Sequence, residues 1–469
     1  MMKTRIIILA GVAMIAASCN FLDENLKGGY SSETFYSSAS KAEMALTGVY
    51  NGLYDNTLWI FGDVASDDAV KGGNAGDAAE INDIDTFSAT TDNGPISVFW
   101  QNAYALISNA NNVITYVPNV EMDEDLRNRY VAEARFLRAY EYFNLVNIFG
   151  EVPVKTKPQN TSEAIHVGLI TVADVYAQID SDLEEAVKYL PETYSVGAGR
   201  VTLGAAYALL AKSKLFQQKY DEALEAIENI PAIYGLEDNY ADLFTPGGED
   251  SRECLFAIRY ARTTTVSMGN NLNVWFSPSA EGGYYFNAPT QDYVDCFDET
   301  TKDGKVDPRL DASIGRDGQP WFNGKTFSES WSEATGYLVK KYNEDMSEEF
   351  AKAQSTVPQH IIRYADVLLM KAEALNESGE TSLAAVELNK VRSRANLSDT
   401  SAATQDAMRD AIRVERRREL GFEFHRFFDV MRYGKEYATS VLGENLKWDD
   451  TRYYFPIPGA ETDANNAIQ

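Results

Sequence analysis

Gly204-Ala205-Ala206-Tyr207-Ala208-Leu209-Leu210-Ala211-Lys212-Ser213-Lys214-Leu215-Phe216, continuing after a break into Ala223-Leu224-Glu225-Ala226-Ile227-Glu228-Asn229-Ile230, reads as two short helices joined by a turn. A second stretch repeats it. At one constant offset Tyr207, Ala211, Ala223, Ile227 and Ile230 meet Leu368, Ala372, Ala384, Leu388 and Val391. In both copies a stripe of helical period is followed by a turn, Gln218-Lys219-Tyr220 in one and Ser378-Gly379-Glu380 in the other. A second stripe then recurs at +4 and +3, the spacing that lines one helix face. The small alanines stand where two antiparallel helices must approach closely.

This is the layout of a tetratricopeptide repeat, a helix–turn–helix unit of about 34 residues. Two more pairs extend it. Residues 124–149 form a long amphipathic helix, with residues 171–190 as partner, where Ile179, Leu183 and Ala186 keep the same spacing. Residues 40–53 pair with residues 99–116. Four pairs exceed the roughly three repeats that a stacked array needs to bury a continuous core. The rest of the chain does not repeat. Residues 56–95 are rich in Gly, Asp and Asn. Residues 232–358 mix short strand-like runs, 255–260 and 337–342, with Gly, Pro, Asn and aromatic residues. Loops this long are functional or disordered, and their aromatic content speaks against disorder. Trp59, Trp275, Trp321 and Trp331 all lie in them.

Composition narrows the chemistry. A content of 45% hydrophobic and 24% charged residues is that of a globular protein with a real core. A net charge of −28 excludes nucleic acid and polyanions as a ligand class. Three histidines, with no C-x-x-C and no H-E-x-x-H, leave no basis for a histidine–cysteine metal site or a cofactor. Beyond Cys19 only Cys254 and Cys296 remain; they either pair in an oxidising exterior or stay as small buried thiols. At the N-terminus Lys3 and Arg5 precede an apolar run of about 12 residues, the length of a signal peptide and too short to span a bilayer. Ala16-Ala17-Ser18-Cys19 follows. It resembles the lipobox of bacterial lipoproteins, which implies lipid attachment at Cys19. An ordinary cleavage site with an incidental cysteine is the alternative.

The C-terminal third carries the most specific signature. Glu415-Arg416-Arg417-Arg418-Glu419-Leu420-Gly421-Phe422-Glu423 runs into His425-Arg426-Phe427-Phe428-Asp429-Val430-Met431-Arg432-Tyr433-Gly434. It closely resembles the E-R-R-x-E-L-x-F-E-x-x-R-x-x-D-x-x-R-x-G motif of the SusD/RagB family. Arg363-Tyr364-Ala365-Asp366-Val367-Leu368-Leu369, Phe455-Pro456-Ile457-Pro458 and the opening Cys19-Asn20-Phe21-Leu22-Asp23 are similar to further motifs of that family, in its order. The resemblance implies a mainly α fold: four tetratricopeptide-like helix pairs in a right-handed array, with a large irregular loop-rich insertion carrying short strands. It implies a lipoprotein signal peptide over 1–18, a tether over 19–39 and a single SusD-like domain over 40–469. Within that domain the helical repeats cover about 40–231 and 360–435, and an irregular ligand-binding region covers about 232–358. The role implied is cell-surface binding of oligosaccharide and its delivery to a SusC-like TonB-dependent outer-membrane transporter, without catalysis, the chain being held on the outside of the outer membrane by its lipid. Peptide binding in the RagB manner, and a docking scaffold with no ligand site of its own, are the alternatives.

Candidate ligand residues come from two loops. Sugar hydroxyls need partners able to donate and accept, and Asp67, Asp68 and Asn74, with Lys71 nearby, offer them. The C–H face of a pyranose is apolar and matches a flat aromatic ring. Trp275, Tyr284, Tyr285 and Trp321 lie among glycines and asparagines rather than on a helical stripe, which points to an exposed platform. Singly, each fits a core position as well. Asp77, Glu80, Asp83 and Asp85 could hold calcium, but they lack a regular loop spacing. The Glu415–Glu419 cluster looks catalytic at first sight; helical spacing and flanking phenylalanines give it instead a packing and salt-bridging role.

Overall fold

In the computed structural model, which describes residues 35–54, 57–194, 199–262, 267–345, 353–443 and 453–468, local chemistry sets the helix starts. The expected signal peptide, Cys19 and most of the expected tether lie outside the described residues. Ser38, Asn93, Asp123, Thr171 and Thr202 each accept a backbone N–H at the head of α1 (Ala39–Asn51), α2 (Gly94–Tyr116), α3 (Glu124–Phe149), α4 (Val172–Ala186) and α5 (Leu203–Phe216). Such caps contribute about 1 kcal/mol each by satisfying donors that the helix leaves unpaired. The array continues with α6 (Tyr220–Glu228), α7 (Tyr364–Glu377) and α8 (Thr381–Arg394).

Each helix packs on the next in chain order, α1 on α2 through to α7 on α8, so the four expected pairs form and stack. The repeat register is visible in burial. Ala211, Ala223, Ala372 and Ala384 have no exposed surface, and Leu368, Leu388 and Val391 close the last pair with Met408 and Ile412 of α9 (Gln405–Leu420). Their counterparts Tyr207 and Ile230 are only half-buried.

The irregular segments are tied together by small sheets. β1 (Ala69–Gly72) pairs antiparallel with β3 (Phe286–Pro289), Val70 opposite Ala288 and Gly72 opposite Phe286. The first long loop and the insertion are therefore one structure. β2 (Cys254–Ile258) pairs antiparallel with β4 (Gln359–Arg363), which leads directly into α7. The strand-like run at 337–342 is shorter than its composition suggests: only Leu338–Val339 forms a strand.

Under the insertion lies a buried ionic hub. Arg309 reaches Asp307, Glu415 and Glu419; Arg363 reaches Glu253, Glu419 and Glu423; Lys341 donates to Glu423 at 2.7 Å. Glu415 and Glu419 thus find their main partners far away in sequence rather than along α9. Cys254 and Cys296 are free, and burial pushes both thiols up to about 12.

Candidate ligand-binding site

The sequence builds a small aromatic face where β1 and β3 meet. Trp275, on the short helix Leu272–Phe276, leans on Trp59 at 5.8 Å and Phe286 at 5.6 Å between ring centroids. Tyr284 stands edge-on to it at 5.4 Å and keeps 52% of its surface exposed. Backbone bonds pin the tyrosine turn: Tyr284 N–H donates to Val274 O at 2.8 Å, Tyr285 N–H to Ser277 O at 3.0 Å, and Gly73 N–H to Tyr285 O at 3.0 Å. The approach needs glycine. A Cβ on Gly72 would stand 2.5 Å from Tyr285 O, and one on Gly73 would stand 2.7 Å from the Phe286 ring.

Asn74, exposed and one residue beyond the Gly73 that bonds Tyr285 O, donates its Nδ2 to Asp77 Oδ2 at 2.9 Å. Lys71 does not present a free cation. Its Nζ donates to Asn74 O and Asp77 O, both at 2.8 Å, and lies 5.4 Å from the Phe286 ring centroid. Tyr285 is half-buried. Desolvation, then the nearby Glu333 and Asp77 carboxylates, raises its phenol pKa, so it stays a neutral donor.

Two expectations need correction. Trp321 is not part of an exposed platform: 5% of it is accessible. The hairpin that carries it folds onto its own aromatics, Trp321 packing on Phe327 and Trp331 with Tyr285 against the cluster. Its indole N–H donates to Glu281 Oε2 at 3.1 Å, and Glu281 also takes Lys325 Nζ at 2.6 Å. Trp321 therefore supports the tyrosine turn from beneath. Asp67 and Asp68 are likewise spent. Arg426 grips both Asp67 oxygens, at 2.7 and 2.8 Å, Arg417 meets the same carboxylate at 3.0 Å, and Asp68 takes Arg417 Nε at 2.6 Å. Burial works against ionisation of Asp67, but the two guanidiniums outweigh it and hold its pKa low. At Asp68, which is fully buried, burial wins and the pKa rises. The pair fastens the first loop to α9 and to α10 (Arg426–Arg432).

Three of the four acids considered for calcium have separate partners. Asp85 accepts Lys71 N–H, Glu80 accepts Gly94 N–H, and Asp77 accepts Asn74. Among the described residues no group of three or more His, Cys, Asp or Glu converges as a metal site. The structure brings Trp275 and Tyr284 together, leaves Tyr285 half-buried against the Trp321 cluster with Asn74 exposed on the neighbouring β1 loop, and buries Trp321, Asp67 and Asp68. Sequence reading missed the supporting Glu281 and Lys325, and it missed the β1–β3 pairing; the Gly72-Gly73 doublet was the one local sign of a close backbone approach.

Comparison with known proteins gives a consistent picture. Residues 252–469 match the SusD family model, and residues 20–215 match a model described as starch-binding associating with outer membrane. A SusD-like protein of Formosa agariphila is 29% identical over 96% of this chain and 95% of its own length. A solved laminarin-binding SusD-like protein is 29% identical, superposes with a TM-score of 0.79, and is matched over 92% of this chain and 99% of its own. A SusD-like carbohydrate-binding protein of Bacteroides fragilis superposes with a TM-score of 0.81 at 27% identity, over 93% of this chain and all of its own.

Proposed function

The chain belongs to the SusD/RagB family, and from that premise we propose that it is a surface glycan-binding protein that captures oligosaccharide on the Trp275–Tyr284–Tyr285 face and passes it to a SusC-like TonB-dependent transporter. The observation that carries the reading is Tyr284: a large ring, half exposed, propped against Trp275 and fixed by backbone bonds on both sides. An aromatic with one free face and a rigid mount suits stacking on a pyranose at little cost in ordering. Asn74 and the Tyr285 hydroxyl supply the polar rim. Asp67, Asp68 and Trp321 contribute through the scaffold. The names of the laminarin-binding and carbohydrate-binding relatives support a glycan as ligand.

The protein holds and releases its ligand without cutting it. It sits on the outside of the outer membrane through acyl chains on Cys19, a placement supported by the description of the family model matched at residues 20–215. The face is open, so affinity should be modest, micromolar to millimolar, or about −8 to −4 kcal/mol. Neutral oligosaccharides should be preferred, because a chain of net charge −28 repels uronates and sulfates. Calorimetric titration of the mature domain with laminarin and with an acidic oligosaccharide panel tests this. Tyr284→Ala combined with Tyr285→Ala should cost about 2 kcal/mol or more of binding with the fold intact. Full affinity in that double variant, or tight and salt-sensitive binding of a polyanion, would move the site elsewhere.

A further inference from the structure

Asp63 touches none of the residues proposed to meet glycan, yet it is wired to them. It lies in the π-helical turn Ile60–Val64 and is fully buried. Such turns interrupt ordinary helical bonding and recur at functional positions. Asp63 Oδ2 accepts Asn287 Nδ2 at 2.9 Å, and Oδ1 accepts the backbone N–H of Phe424 at 3.2 Å. Both partners sit in stretches twisted into the left-handed region. Tyr285 and Asn287 have φ of 43° and 55°; Phe422 and Phe424 have φ of 62° and 67°. Side chains this large persist there only when their surroundings hold them. Gly62, beside Asp63, lets the second stretch come close: a Cβ there would stand 2.4 Å from Phe424 O.

The twist at Tyr285 and Asn287 breaks the alternation of β3. All four of its residues are buried, and Phe286 turns inward under Trp275 while Tyr284 stays outside. We propose that Asp63 is the positioning residue of the ligand face: through Asn287 it fixes the backbone twist that stands Tyr284 against Trp275, and so sets glycan affinity. The inference rests on the reading of that face as the ligand site. Asn287 Oδ1 is itself buried without a partner, so an amide at position 63 could replace the carboxyl, donating to that oxygen once the Asn287 amide turns over.

Three variants test this by hydrogen exchange at Gly73, Tyr284 and Tyr285 in the unliganded protein, by laminarin titration and by melting temperature. Asn287→Gly keeps the left-handed backbone accessible but removes the amide. It should melt close to wild type, exchange faster at Tyr284 and Tyr285, and bind laminarin on the order of tenfold more weakly. Asp63→Asn should keep both protection and affinity, whereas Asp63→Ala should lose both. Undiminished protection and affinity in Asn287→Gly overturn the proposal, as does an Asp63→Asn variant no better than Asp63→Ala. If Asp63→Ala does not fold, Asn287→Gly and Asp63→Asn decide alone. If wild type fails to bind laminarin, the glycan assignment falls, while the exchange measurement still decides what holds the turn.

Discussion

Replacing Arg363 by Met removes the most connected cation of the buried hub. Its five N–H donors are all used: Nε and Nη2 on the two oxygens of Glu423 at 2.7 and 2.8 Å, Nη1 on Glu253 and Glu419, and Nη2 again on the Glu419 carbonyl at 3.1 Å. Methionine fills much of the volume and supplies none of the charge. Glu423 would keep Lys341, and Glu419 would keep Arg309 and Arg394; Glu253 would be left with Arg394 at 3.4 Å. One uncompensated negative charge then remains in a dry interior, a change that costs about 3–5 kcal/mol. Urea unfolding of the protein, followed by far-UV dichroism, measures it. Adding Glu253→Gln to the variant should recover part of the loss, because the amide oxygen can still accept the Glu237 N–H. A loss below about 1 kcal/mol with an unchanged slope would show that the hub adds no stability beyond its packing.

Ala372→Leu should overpack the α7–α8 contact and cost about 1–3 kcal/mol, read from the same urea curves; an unchanged midpoint would contradict the repeat register. Trp321→Ala should lower stability by about 3–5 kcal/mol, with weaker glycan binding following from the loosened turn. Clean loss of binding at full stability would return Trp321 to the ligand surface. His360 is buried, its Nε2 bonded to Leu243 O at 2.8 Å, and burial pushes its pKa down to about 4. A depressed histidine stabilises the fold fully above its unfolded pKa of about 6.5, and that share is lost as pH falls toward about 4. His360→Gln should flatten the decline in urea midpoint over this window, and an equally steep decline would exclude His360 as its source.

Features that repeat or pack locally were legible in the chain. The alanines at 211, 223, 372 and 384 announced close helix contacts because helical period is written in consecutive residues, and the structure buries all four completely. Charges that pair across the fold were not legible. Asp67 and Asp68 sit in a polar stretch and look solvent-facing, but their cations are Arg417 and Arg426, about 350 positions away. Nothing local distinguishes a solvated acid from a cross-linked one. Trp321 misled for a related reason: the glycines and asparagines around it do mark turns, and those turns fold the chain back over the ring. Trp275 and Tyr284 sit in similar company, yet Tyr284 stays 52% exposed, next to left-handed backbone at Tyr285 and Asn287 that no local sequence pattern announces.

The fastening of Asp68 to Arg417 also constrains the order in which the molecule can be assembled. It closes a loop of 349 residues, which for a flexible chain carries a closure cost of about 5 kcal/mol before any contact repays it. The segment so fastened carries β1, the partner of β3, and it cannot be locked in place until the C-terminal helices have been delivered and docked. A nascent or clipped chain that stops short of α9 would carry Trp275, Tyr284 and Tyr285 but lack the Arg417 and Arg426 that hold Asp67 and Asp68. The first long loop is thus locked in place only in a chain that has arrived whole.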